Sequence, residues 1–221
     1  MFDNLPPVTK ALLLSNGAVF LLQLLLGNEF FLHFMLWPLG DYPLGMGQVG
    51  NLFLPWQLVT YGFLHGGFGH LFFNMLALFM FGAPLEYTWG QRRYAIFFFS
   101  CVVGAGVIQL IVGTLAVQQG YGAYPTIGAS GGVYGLLLGY GMLFPRQRVM
   151  LLFPPIPMQA RTLVIVFGAL ALFLGVTGTQ QGVAHFAHLG GMLFGFLLIQ
   201  YWRGRWPFSP PRGRGGPWRP H

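Results

Sequence analysis

Apolar and polar positions alternate along this chain in long blocks: extended apolar runs separated by short polar or basic stretches. No charged residue occurs over residues 94–145, and none over 162–202. A spanning helix takes about 20 residues, so each gap holds an out-and-back pair with a turn on the far side. The pattern predicts helices near 94–117 and 128–144, then near 162–177 and 185–202. Upstream, residues 11–27 form a first apolar run, and the charge-free stretch that ends at Glu86 forms another near 68–86. The expectation is one all-α polytopic membrane domain over residues 1–202, with six transmembrane helices.

The connections differ in character. Residues 28–56 are aromatic, contain Trp37, Pro38, Gly40, Pro43 and Gly45, and carry Glu29 and Asp41 but no base. That composition suits a loop between helices 1 and 2 lying in the membrane interface, where aromatic rings are favoured. The turns "QQGYGAYPT" and "GTQQGVA" are polar and uncharged, whereas "PRQRVMLLFPPIPMQAR" is basic and its prolines forbid a continuous helix.

Composition agrees with the pattern. Hydrophobic residues are 55% of the chain and charged residues 7%, against about 25% charged in a soluble domain. The bases are Lys10, Arg92, Arg93, Arg146, Arg148, Arg161, Arg203, Arg205, Arg212, Arg214 and Arg219. On the six-helix reading all fall on one side, so both termini are expected in the cytoplasm. An integral, multi-pass protein of a bacterial inner (plasma) membrane is expected. The first run lacks a small-residue cleavage site and reads as a retained signal anchor. The tail from Arg203 to His221 is rich in Arg, Pro and Gly and reads as disordered. Beside the last helix it suits anionic lipid better than nucleic acid. Cys101 is the single cysteine, so it forms no internal disulfide, and its position suits helix packing. The two halves do not share their polar residues, which argues against an inverted-repeat transporter.

Polar groups inside apolar helices mark candidate chemistry. In "HGGFGHLFFN", His70 and Asn74 share one helix face, with His65 just before it. Ser130 opens the fourth helix, and "HFAHLGG" places His185 and His188 about one turn apart in the sixth. Counted from the flanking charges at ~1.5 Å per residue, Ser130, His188 and His70 lie at one level, roughly 22–24 Å above the cytoplasmic side. Gly131, Gly135 and Gly139 repeat on the serine helix, and Gly191 and Gly195 follow His188. Such stripes let helix backbones approach closely, which brings serine and histidine within hydrogen-bond reach. Imidazole can take the hydroxyl proton near neutral pH. The Ser130 backbone N–H, at a helix start, is free to face an oxyanion, and His70 and Asn74 can add donors. Asp3, Glu29, Asp41 and Glu86 all lie at helix ends or in the outer loop, so the chemistry is that of a Ser–His dyad without an acid.

The pattern H-x-x-x-N, then "GASG" at 128–131, then "HLGG" at 188–191, resembles the rhomboid intramembrane serine proteases, over roughly residues 10–202. The resemblance implies a rhomboid-like bundle that cleaves transmembrane segments of other proteins through an acyl-enzyme, without cofactor or metal. Its implied assignments are Ser130 as nucleophile and His188 as general base and acid. His70, Asn74 and the Ser130 N–H would form the oxyanion hole. Tyr134 would pack on His188, Gly128 and Gly131 would flank the nucleophile, and His65 would hold the outer loop. "FGAPLEYTWGQRR", with Gly82 and Glu86, matches the family's end to its second helix, whereas the outer loop lacks the Trp-Arg pair of many members. The fifth helix and residues 178–184 are the implied movable cover, and small side chains are expected at the cleavage site. Two other classes fit the sequence less well. A metal site built from His65, His70, His185 and His188 has no Asp, Glu or Cys at that level. A catalytically inactive rhomboid-like protein that binds client helices would usually lack the serine or the histidine, and both are present.

Overall fold

The structure, a computed structural model, describes residues 4–45, 48–152, 155–178 and 184–205. The expectations for the tail beyond Arg205 and for most of the 178–184 cover fall outside the described residues. Six long helices occupy the six apolar stretches: α1 (Pro7–Leu26), α2 (Phe68–Trp89), α3 (Gln91–Gln118), α4 (Ser130–Leu143), α5 (Ala160–Thr177) and α6 (His185–Trp202). Four of them, α1, α2, α3 and α5, are long and apolar enough to cross a membrane. The two that fall short carry the candidate dyad: α4 has only 14 residues, about 21 Å, and the polar side chains of α6 dilute its apolar character. α4 packs against α2, α3, α5 and α6, so its short length ends inside the bundle and not at its surface.

Helix α1 starts earlier than its apolar run, for one local reason and one long-range one. Pro7 occupies the first helical position, where its missing N–H costs nothing. Its first N–H groups, which have no partner within the helix, are bound from a distance by Glu86 of α2. One carboxylate oxygen accepts from the Val8 N–H at 2.9 Å, and the other accepts from the Thr9 N–H at 2.7 Å and the Thr9 hydroxyl at 2.8 Å. A buried carboxylate with three donors beside a helix N-terminus is well satisfied. Sequence alone placed Glu86 at the end of α2 without assigning it this role. Glu86→Gln removes the charge from these bonds and is expected to lower unfolding free energy by about 2 kcal/mol, read from denaturation in detergent. An unchanged midpoint would show that α1 is not held this way.

Helix α2 widens into a π-helical turn at Leu78–Gly82, followed by Pro84. Proline has no N–H to offer the carbonyl four residues earlier, which accounts for the local change of pitch.

The loop between α1 and α2 is built, not loose. It contains a 3-10 turn (Asn28–Phe34), the hairpin β1 (Tyr42–Gly45) with β2 (Gln48–Gly50), and short turns at Gln57–Thr60 and Tyr61–Phe63, and Phe31, Met35 and Leu64 form a small buried cluster with Leu32 and Trp37 packed against it. Fully buried Gln57 fastens it: its amide N donates to the carbonyls of His33 at 3.2 Å and Leu52 at 2.8 Å, and its oxygen accepts from the Trp37 N–H at 3.1 Å. Leu36 and Thr126 then exchange two backbone hydrogen bonds, at 3.0 and 2.8 Å, tying the loop to the segment that precedes Ser130.

The connection between α4 and α5 forms a second hairpin, β3 (Arg148–Met150) with β4 (Pro157–Gln159). The two hairpins correct the all-helical expectation. Where proline denies helix, antiparallel pairing is one way to satisfy backbone groups.

Candidate active site

Ser130 is the first residue of α4, and the approach to it is sterically fixed. Gly128 has φ +124°, a region that side-chain-bearing residues rarely adopt, and its N–H donates to the Tyr61 carbonyl at 2.9 Å. A Cβ at this position would lie 2.7 Å from both Cε1 and Nε2 of His70, and 3.8 Å from the Ser130 hydroxyl oxygen. Gly128 therefore lets His70 and Ser130 share one small space. Gly128→Ala is expected to push His70 away and strain the turn, with a roughly 100-fold loss of activity toward a transmembrane reporter. Near-normal turnover by that variant would remove His70 from the site.

The serine and histidine helices meet through glycine. Gly191 on α6 lies against the Gly131 backbone of α4 so closely that a Cβ would overlap the Gly131 carbonyl oxygen. One turn along, Gly135 leaves the space taken by the Cys101 sulfur of α3. Cys101 is fully buried, a packing residue as expected. The result is that His188 Nε2 stands 2.9 Å from the Ser130 hydroxyl oxygen. The Tyr134 ring stacks on the His188 ring, with centroids 4.2 Å apart and planes 3° from parallel, which sets the plane in which Nε2 points. Among the described residues His188 Nδ1 is buried without a hydrogen-bond partner, and none of their acids orients the ring from behind.

His70 faces the same point from α2. The Gly66 N–H donates to His70 Nδ1 at 3.4 Å, which leaves Nε2 to carry the ring proton, on the side facing Gly128 and Ser130. Asn74 donates one amide hydrogen to the His70 carbonyl at 2.8 Å, and its second is available to the cavity. Ser130, His70, Asn74 and Tyr134 all line one cavity of about 580 Å³ between α2, α4 and α5.

His65 sits behind His70, its ring in edge contact at 5.1 Å between centroids. Its backbone is locked to α1, donating to the Gln23 side-chain oxygen at 2.9 Å and accepting from the Gln23 amide at 3.3 Å. Burial, and secondarily the neighbouring His70, push its pKa down to about 4, so the ring is neutral at pH 7. His185 is buried with its ring 6.1 Å from that of His188, beside the dyad. Among the described residues, no three of His, Cys, Asp and Glu converge closely enough to hold a metal ion.

The supports that sequence reasoning missed are Gln23, Gln57, the Leu36–Thr126 bridge and the capping role of Glu86. Gln23, in an apolar helix, was visible as an anomaly, but its partner lies 42 residues away and only the fold brings the two together.

Comparison with known proteins supplies the context for this geometry. The family model for the rhomboid domain matches residues 54–205. The chain is 33% identical over 148 residues to the putative rhomboid protease YdcA of Bacillus subtilis, covering 66% of this chain and 68% of that protein. It is 32% identical over 143 residues to RHOMBOID-like protein 4 of Arabidopsis thaliana, covering 65% of this chain and 33% of the relative. With the mitochondrial rhomboid protein 1 of Saccharomyces cerevisiae it shares 30% identity over 153 residues, 66% of this chain and 41% of the relative. The chain thus spans about a third to two-thirds of the length of these relatives. Its matched region begins ahead of the segment that carries His65 and runs to the end of α6, and on that match the chain belongs to the rhomboid family of polytopic helical membrane proteins.

Proposed function

We propose that this chain is an intramembrane serine endopeptidase that cleaves the transmembrane segments of other membrane proteins through a Ser130–His188 dyad. The observation that carries the reading is the 2.9 Å contact between His188 Nε2 and the Ser130 hydroxyl, at the wall of a cavity. His188 takes the hydroxyl proton as Ser130 attacks the scissile carbonyl carbon. Negative charge then develops on the carbonyl oxygen, and in this reading the Ser130 N–H, His70 Nε2–H and the second Asn74 amide hydrogen donate to it. His188 returns the proton to the leaving amine, and the acyl-enzyme on Ser130 remains. A water molecule, deprotonated by His188, hydrolyses that ester and restores the hydroxyl.

In this reading the domain is residues 1–202, all six helices span the membrane, and both ends of the chain are cytoplasmic because every base then lies on that side. A helical substrate hides its carbonyls in its own hydrogen bonds, so the cleaved segment must leave helical form, and small side chains there ease entry. Tyr134 and His65 act as positioning residues, the first on His188 and the second behind His70.

The test is covalent labelling. A fluorophosphonate is expected to label Ser130 in the purified, unaltered protein and to fail in His188→Ala. Labelling that persists at full rate without His188 would defeat the dyad, and no labelling at all would favour an inactive protein that binds client helices.

A further inference from the structure

The cavity that begins at Ser130 does not stop there. Below Asn74 and Tyr134 every residue that lines it is apolar, and it continues down the faces of α2, α4 and α5, past Phe73, Met80, Leu137 and Phe167, to the inner hairpin. From Gly69 to Met80 on α2 this is about 16 Å at ~1.5 Å per helical residue. Its floor is the run Val149–Met150–Leu151–Leu152, formed by β3 and the residue pair after it. These four residues are held differently. Val149 is buried in the core and pairs with Met158 of β4, and the Leu151 N–H donates to the Ile156 carbonyl at 3.1 Å. The backbone is thereby fixed, while Met150 and Leu152 remain 57% and 52% exposed. Two large apolar side chains are thus presented at the end of an apolar groove by a segment flanked with Arg146, Arg148 and Arg161. Neither the dyad nor core packing uses them.

We infer that Met150 and Leu152 form a far subsite of the substrate groove, which grips the cytoplasmic-side half of the apolar transmembrane segment being cleaved. This rests on the protease reading above. The occupant is a peptide segment because the groove is continuous with Ser130 and with the donors of His70 and Asn74, which are suited to a backbone carbonyl. The apolar walls below them suit the remainder of the same segment. The distance sets the register. A substrate residue in contact with the hairpin lies roughly 11 positions from the scissile bond if the intervening stretch is helical, and roughly 5 if it is extended. The subsite acts through binding, so it selects for length and apolarity on that side without touching the reacting atoms.

The experiment uses the full-length protein in liposomes and a single-span reporter that it cleaves. A photoreactive benzoylphenylalanine is placed singly at successive reporter positions on the cytoplasmic side of the scissile bond. Cross-links to the peptide containing Met150 and Leu152 are expected from positions between about 5 and about 11. Met150→Asp with Leu152→Asp is expected to raise KM for the reporter at least tenfold with little change in kcat, while a small fluorophosphonate still labels Ser130. Met150→Ala with Leu152→Ala should show a smaller rise in KM, which guards against misfolding of the acidic variant. Cross-links from those positions that map only to α1 or α3, or wholly to lipid, overturn the subsite, as does an unchanged KM. If the unaltered protein neither labels nor cleaves, the protease reading fails and takes this inference with it.

Discussion

Ser130→Ala and His188→Ala are each expected to reduce cleavage of a transmembrane reporter to background. Under the proposed mechanism, removing His188 deletes both proton transfers, and general acid–base catalysis by a positioned side chain contributes about 10²–10⁴-fold. Removing Ser130 deletes the covalent route altogether, so its loss should be at least as large. The two losses should not add, because the residues act as a unit: the double variant should be no slower than Ser130→Ala. Among the described residues neither side chain has a counter-charge or a cap to lose, and His188 Nδ1 has no hydrogen-bond partner. Both variants should therefore remain folded, by circular dichroism and by elution in detergent. Reporter cleavage within tenfold of the unaltered protein by either variant would refute the dyad.

A second large loss is expected from a residue that touches no substrate. Gly191→Ala adds one methyl group where the Gly131 carbonyl already fills the space, and the overlap is with backbone, which cannot rotate out of the way. The helices α4 and α6 must then move apart, at a cost of about 1–3 kcal/mol in stability for overpacking. His188 and Ser130 sit on either side of that contact. A displacement of about 1 Å at a catalytic pair can cost ~100-fold in rate, and a 2.9 Å hydrogen bond does not survive it. The expected outcome is a folded protein whose fluorophosphonate labelling is slower by roughly that factor. Labelling at the unaltered rate would mean that the glycine contact does not set the spacing of the dyad. By contrast Gly17 on α1 has nothing within 4 Å of the position a Cβ would take, so Gly17→Ala should leave labelling unaffected.

The groove places demands on α5. That helix packs on α4 and α6, while Ile165, Phe173 and Val176 are exposed on its other faces. Leu163 and Phe167 line the cavity. A helix with few contacts across a groove is the easiest element to displace, because fewer packed side chains must separate.

Much of this protein could be read along the chain. The charge gaps located six helices to within a few residues, because membrane-spanning segments exclude charge and the connections do not. Ser130, His188, His70 and Asn74 stood out as polar groups in apolar surroundings, and counting residues put Ser130, His188 and His70 at one depth. Helix boundaries were less legible. α1 begins at Pro7 because a carboxylate 77 residues away accepts the N–H of Thr9, and no local signal records that. The inner connection was recognised as non-helical from its prolines, yet the pairing of Arg148 with Gln159 is a choice made between segments.

Sequence by itself determined which residues are apolar enough to be helices in a membrane, which polar groups they must carry at a cost, and where small residues allow close approach. Those are local properties, set by side-chain size and charge. Only the tertiary structure decided that Gly191 meets Gly131, that Tyr134 stacks on His188, and that the serine cavity runs on to Met150 and Leu152. Each of these is a contact between elements distant in the chain. Its distance depends on how three or more helices pack together, and no single stretch of sequence contains that information.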